Sequence, residues 1–380
     1  GRIPNTSPAI VGGMGGGVAW GSAYILIPWW MHQYYNDTRL LEEHYPNMKR
    51  YINYLHRLAT TDEKPDEPYI INNFDGYWYS LGEWCSPGRS DCPNHAVVNT
   101  FYYYYDAHLM SQIAGLLGYK EDAGRFKALS DTIRDELNRK FFNPETALYG
   151  SDSTYQTYQL LALAGNITPE TYRLPVLKTL ADDIKEKNNH LNTGIIGTKY
   201  LWQVLPEAGY NDLAYALATQ ETFPSYGYWI RNNSTTLLEE WGGANSHNHQ
   251  MFGTITEYFY QHLAGIRSPA SGKTSPAYKH IHLQPYMPDS LQEVKAKLNT
   301  LSGEIVSHWK KQAGGYQYHV NIPPNTTATL ILPLGESRQA TITESGKVVK
   351  RNKAYSGENE INMPLESGTY HFQVLFCEKR

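Results

Sequence analysis

The 380-residue chain is poor in several features that would place it at once. Three cysteines are too few for a disulfide scaffold. Zinc is disfavoured too, because Cys85 and Cys92 are spaced wrongly for a structural site and no second pair exists. The Pro and Gly of WCSPGRSDCP could turn the chain so that Cys85 and Cys92 form a local disulfide in an oxidising compartment; Cys377 is expected to be free. Charged residues make up only 18%, against a usual ~25%. Lys and Arg number 33 against 37 Asp and Glu, a net charge of −4. No basic excess is present to hold a phosphate backbone, so nucleic acid is not expected as a partner. No apolar run reaches the ~18 residues of a membrane span. The opening GRIPNTSPAIVGG is neither a signal peptide nor a start methionine, and reads as trimmed or cut from something longer.

What is abundant is aromatic: 31 Tyr, 9 Trp and 10 Phe. Trp and Tyr pair a flat apolar face with a polar edge. That combination suits a ligand with apolar faces and a polar rim, such as a sugar, although an aromatic-rich core accounts for most of these residues. The length allows two domains. Residues 1–267 read as helical. Leu40, Leu41, Tyr45, Met48, Tyr51, Ile52 and Leu55 recur at helical spacing after a cap at Asn36 or Asp37. Further helices are predicted over 96–117, 121–141, 154–164, 169–187, 194–205, 211–219 and 246–263. No strand–helix alternation appears, which disfavours a doubly wound sheet. The texture changes at the linker SPASGKTSPAYK. From 268 to 380, short alternating runs (HIHLQP, VKAKLNT, GEIVSHWKK, YQYHVNIP, TATLILP, QATITES, TYHFQVLF) predict an antiparallel β-sandwich.

Three stretches could carry chemistry. In YGYWIRNNSTTLLEEWGGANSHNHQMF, Glu239 and Glu240 precede Trp241, and His247 and His249 flank Asn248. Glu239 is either an exposed acid at an element's end or a general base activating water beside an aromatic wall. The two histidines lack a third ligand at suitable spacing, so no metal is expected, nor any other cofactor. In NNFDGYWYSLGEWC, Asp75 and Glu83 lie among Trp78, Tyr79 and Trp84. Carboxylates there could accept hydrogen bonds from paired sugar hydroxyls while indole faces stack on the ring; the plainer reading is a packed loop with a capping acid. The glycines of GGMGGGVAWGSAYILIPWW are not followed by a phosphate-loop Gly-Lys-Ser/Thr, so they point to close backbone approach rather than to a nucleotide.

Taken in order, these stretches resemble the α-L-rhamnosidases of glycoside hydrolase family 78. The family's Thr-Thr-Ile-Trp-Glu-Arg-Trp corresponds to TTLLEEW here, with Glu239 in the base position. The family's later Asn-His corresponds to Asn248-His249, after a shorter connection. AWGSAYILIPWWMHQYYND, LGEW, LSGEIVSHWKK and ESGTYHF also look like the family. The resemblance implies an (α/α)6 helical barrel followed by a β-sandwich, and inverting hydrolysis of terminal α-L-rhamnosides. Glu239 would be the base, and His249, Trp30 and Trp84 would fall at or near sugar-binding positions. Trp20, Ser22, Asp75, Glu83 and Trp241 join them as expected substrate contacts. Two departures stand out. Ser22 replaces the Asp of the family's Trp-Gly-Asp-Ala, and Glu83 replaces the Asp of its Gly-Asp-Trp. The family's general acid lies upstream of its GxxP stretch. The acid, and the helices that complete the barrel, are therefore expected before Gly1. A glycosidase for another sugar, or a sugar-binding relative without catalysis, are the alternatives. A secreted or periplasmic location is the usual expectation for such enzymes, with a cytoplasmic one as the alternative.

Overall fold

A computed structural model describes residues 1–4, 17–61, 67–72, 81–88, 95–150, 155–334, 339–352 and 359–376. They fall into two compact units, one of residues 1–29 and 38–255, the other of residues 30–37 and 256–380.

Helices build the first unit. They are α1 (Val18–Gly21), the first part of α2 (Ala23–Tyr35), α3 (Arg39–Thr61), α4 (His95–Leu116) and α5 (Lys120–Phe141). After these come α6 (Gln156–Ala164), α7 (Glu170–Glu186), α8 (Ile195–Glu207), α9 (Asn211–Ala218) and α10 (Tyr226–Arg231). Sequence decides their roles. α4 is apolar or aromatic on every side and is buried along most of its length, from Ala96 to Ala114. α5 is amphipathic and turns Phe126, Ile133, Leu137 and Phe141 inward. It places Glu121 and Asp122 in its first turn and Arg139 and Lys140 in its last, matching the helix dipole at both ends. A two-stranded hairpin, β1 (Phe142–Asn143) with β2 (Leu148–Tyr149), follows α5 where only a turn was expected.

The predicted helix 246–263 is not regular. Residues 246–249 are irregular, Gln250–Thr254 form a 3₁₀ turn, α11 spans Ile255–Tyr258, and Phe259–Leu263 close in a π turn. Ser246 and His249 instead give their backbone groups to the 237–239 segment, which takes them out of a helix.

The second unit holds two sheets. β3 (His280–Leu283), β4 (Glu293–Thr300), β5 (Gly303–Gln312), β6 (Gly315–Ile322), β7 (Thr327–Pro333) and β8 (Ala340–Glu344) come first. β9 (Lys347–Asn352), β10 (Glu360–Leu365) and β11 (Gly368–Phe376) complete them. The six-stranded sheet runs β4-β5-β6-β11-β8-β9 and the three-stranded sheet β10-β7-β3. All pairings are antiparallel except β3 with β7, which is parallel. Alternation sends Tyr316, Tyr318, Val320 and Ile322 of β6 inward, where they meet Trp309, Ile281, Leu330, Leu332, Ile342, Phe372 and Val374 in one apolar core. Trp309 is fully buried and donates its indole N–H to Leu263 O at 2.7 Å, so the large side chain leaves no polar edge unmatched. No helix among the described residues is long and apolar enough to cross a membrane.

Candidate active site

The segment bearing Glu239 is held by aromatic packing below it and a backbone clasp around it. Tyr226, Trp229, Trp241 and Phe252 form the packing. Trp229 stacks on Trp241 at 4.6 Å, and Tyr226 and Phe252 meet Trp241 at 5.2 and 4.5 Å. Each polar edge has an outlet. Trp229 donates to Trp241 O at 2.9 Å, Trp241 to Thr193 O at 2.8 Å, and Tyr226 to Phe252 O at 2.7 Å. The clasp pairs Glu239 N with Ser246 O at 2.9 Å and His249 N with Leu237 O at 3.0 Å, around a turn in which Gly243 and Asn245 take positive φ.

Glu239 emerges from this frame partly exposed, with 19% of its side chain accessible. Its carboxylate accepts from the Trp84 indole N–H at 3.3 Å and from Ser246 N at 3.1 Å, and His249 Nδ1 stands 3.9 Å away. Trp84, 155 positions earlier, and His249 are thus gathered on the Glu239 carboxylate. Glu240 turns aside to Asn245, whose amide donates to it. Cys85, next to Trp84, is a buried free thiol pushed up to about 12 by burial and by the negative charges of Glu240, Glu239 and Glu83. Its proposed partner Cys92 lies outside the described residues, as do Asp75 and Cys377. No group of three or more His, Cys, Asp or Glu able to hold a metal occurs among the described residues.

Three residues expected to touch a sugar are instead sealed inside the fold. Trp241 is 1% exposed, enclosed by its aromatic neighbours. Ser22 is fully buried, its hydroxyl 2.9 Å from Val18 O and 2.6 Å from Asp106 Oδ2. One hydroxyl proton cannot serve two acceptors. The count closes if Asp106, which burial pushes well above the usual carboxylate range, carries a proton and donates it to Ser22 while Ser22 donates to Val18 O. Sequence reasoning missed Asp106, because a lone acid within an aromatic helix carries no motif.

Glu83 is also fully buried. Its two carboxylate oxygens accept from Ile196 N at 3.1 Å and Gly197 N at 2.8 Å, in the first turn of α8. Burial raises its carboxyl to about 7, against the lowering effect of these donors. Trp20 is half-buried on α1, and Trp30 belongs to the second compact unit.

Residues 1–263 match the family of the bacterial alpha-L-rhamnosidase 6 hairpin glycosidase domain, and residues 265–347 match the bacterial alpha-L-rhamnosidase C-terminal domain. The chain belongs to the bacterial alpha-L-rhamnosidase six-hairpin family. An alpha-L-rhamnosidase of Formosa agariphila is 30% identical over 396 aligned positions, which cover 99% of this chain and 40% of the relative. The structure of an alpha-L-rhamnosidase from Dictyoglumus thermophilum superposes with a TM-score of 0.85 at 35% identity, covering 95% of this chain and 40% of that one. That of a Streptomyces avermitilis alpha-L-rhamnosidase complexed with L-rhamnose gives 0.80 at 26%, covering 96% and 34%. The chain therefore spans about two fifths or less of each of these three rhamnosidases, and matches their helical six-hairpin domain and the β-rich C-terminal domain that follows it.

Proposed function

We propose that this chain carries the base-bearing part of an inverting α-L-rhamnosidase, with Glu239 activating the attacking water. The observation that supports this most is the Glu239 carboxylate itself. It is partly exposed, oriented by two N–H donors, and flanked by an imidazole. A base must be fixed in direction yet open to water, and Glu239 meets both needs. Trp84 and His249, half-buried around it, would offer an indole face and a ring nitrogen to the sugar. The complex of the Streptomyces relative with L-rhamnose supports rhamnose as the substrate. Ser22 gives no ground for a different sugar, because its hydroxyl faces Asp106 inside the fold.

An inverting glycosidase needs a second carboxyl about 6.5–9.5 Å from the first, to protonate the leaving oxygen. Glu83 does not fit that role, being sealed against α8. The acid is proposed to come from another part of a longer polypeptide, in keeping with the relatives' greater length. A secreted or periplasmic site of action goes with this reading.

The test is Glu239→Gln in the full-length polypeptide, assayed on an aryl α-L-rhamnoside. Turnover should fall by at least ~10²-fold, the scale of a lost general base, with substrate binding retained. Glu240→Gln should do far less, since its side chain already turns to Asn245. Near wild-type turnover in Glu239→Gln would end the assignment.

A further inference from the structure

We propose that Glu83 is a positioning residue for the Glu239 site: it clamps the Trp84 turn to the entrance of α8 and so holds the indole N–H on the Glu239 carboxylate. The inference rests on the base reading of Glu239 and adds to it the element that aims the base.

Three consecutive backbone donors open α8, and residues 83 and 84 take all of them. Ile195 N donates to Trp84 O at 2.9 Å, Ile196 N to Glu83 Oε1 at 3.1 Å, and Gly197 N to Glu83 Oε2 at 2.8 Å. The residue at the usual capping position, Gly194, has no side chain to offer, so a carboxylate 113 positions away caps the helix in its place. The approach is too close for larger residues. A Cβ on Gly194 would lie 2.1 Å from Trp84 O, and one on Gly197 would lie 2.1 Å from Thr157 Oγ1 and 3.0 Å from Glu83 Oε2.

The same short segment also holds the other side of the site. Thr193 O accepts the Trp241 indole N–H, and Trp241 lies two residues after Glu239. The bonds therefore form a closed circuit: Glu239 to Trp84, Glu83 to the start of α8, Thr193 to Trp241, and back along the chain to Glu239. Within that circuit Glu83 is the side chain that joins the Trp84 turn to α8. An ordinary helix cap would need only a serine or aspartate at position 194. A fully buried glutamate is a costlier solution, and it yields a fixed relation between two loops that meet at the carboxylate.

The test uses the full-length polypeptide with 5-fluorotryptophan incorporated, so that Trp84→Phe assigns the Trp84 ¹⁹F resonance. Assayed at pH 8, where the Glu83 carboxyl has given up its proton, Glu83→Gln leaves a single acceptor oxygen for two amides. It should lower kcat roughly 10-fold and shift the Trp84 resonance in the same direction as Glu239→Gln does. In the Trp84→Phe background the same change should cost less than about 2-fold, because a residue acting through Trp84 has nothing left to aim. Tyr149→Phe, which breaks a buried 2.6 Å bond to Asn138 outside the circuit, should leave the resonance and kcat in place.

Multiplicative losses in the double variant, or an unmoved Trp84 resonance, would overturn the inference while an inactive Glu239→Gln left the base reading standing. Near wild-type turnover in Glu239→Gln would overturn both. If Glu83→Gln does not fold, Glu83→Asp is read in the same way, its carboxylate lying one methylene short of the two amides. Failure of both variants to fold would reduce Glu83 to a scaffold residue and overturn the inference.

Discussion

Among the described residues the buried carboxyls, Glu83 and Asp106, lie in the helical unit, and the buried basic side chains, His32, His262 and Arg267, lie in the sandwich unit. Each is answered differently. Glu83 is met by backbone N–H groups of α8, and Asp106 by a serine hydroxyl. The His262 ring accepts from the Arg267 guanidinium, Nη1 to Nδ1, at 2.5 Å. Burial opposes charge of either sign, so it favours keeping the proton on a carboxyl and removing it from an imidazole. The carboxyl of Glu83 accordingly rises to about 7. The imidazole of His262 falls to about 2, through burial first and the Arg267 and Lys273 charges second. The contributions of Glu83 and His262 to stability should therefore respond to pH with opposite signs.

The largest expected effect marks what is not electrostatic in this contrast. Trp309 is fully buried in the sandwich core among Tyr316, Tyr318 and aliphatic neighbours. Trp309→Ala should cost about 3–5 kcal/mol, from lost burial and the cavity left behind. Urea midpoints at pH 5 and pH 8 should show the same loss at both. A loss that changed strongly with pH would mean that Trp309 supports the His262–Arg267 pair, and that apolar packing and buried charge are not separable in this unit.

Much of this arrangement was legible in the sequence. Helical periodicity marks α3 to α9 to within a few residues, and alternation marks seven of the nine sandwich strands. β9 and β10 were not legible. KVVKRN reads as a basic run, and EINMPL carries a proline that disfavours a strand. TTLLEEW and LGEW pointed to Glu239 and Trp84, because in each an acid stands beside an indole and each matches a motif of the family. The state of Ser22, Glu83 and Trp241 could not be read there. Whether an acid contacts a ligand or caps a helix depends on backbone donors 113 positions away, and the one-letter code is the same for both.

The second effect sharpens the contrast from the acidic side. Glu83 holds its proton to about pH 7 in the fold and to about 4.5 when unfolded. A folded-state value above the unfolded one gives stability that is fully present below pH 4.5 and lost as pH rises to about 7. The displacement corresponds to roughly 3 kcal/mol. Glu83→Gln cannot titrate. The stability of the wild-type chain relative to this variant should therefore fall by that amount between pH 4.5 and pH 8, as read from urea unfolding at each pH. A difference that stays flat would mean that the α8 amides hold Glu83 charged throughout.

The smallest effect tests the opposite sign. His262 is 2% exposed and neutral in the fold, while the same imidazole in the unfolded chain takes up a proton near pH 6.5. A folded-state value below the unfolded one leaves stability intact above pH 6.5 and removes it as pH falls toward 2, by about 2 kcal/mol at pH 5. His262→Gln keeps an uncharged acceptor for Arg267 and does not titrate. The variant is expected to start below wild type at pH 7.5, because an amide fills the imidazole's place less well. It should then recover about 2 kcal/mol relative to wild type on acidification to pH 5. His32 and His319 are also held below the usual imidazole value by burial, and they add acid sensitivity of the same sign to both proteins. The difference between the two proteins isolates His262. A gap that does not close at pH 5 would show that the His262 imidazole takes up its proton in the folded unit despite Arg267, and the opposition between Glu83 and His262 would fail on its basic side.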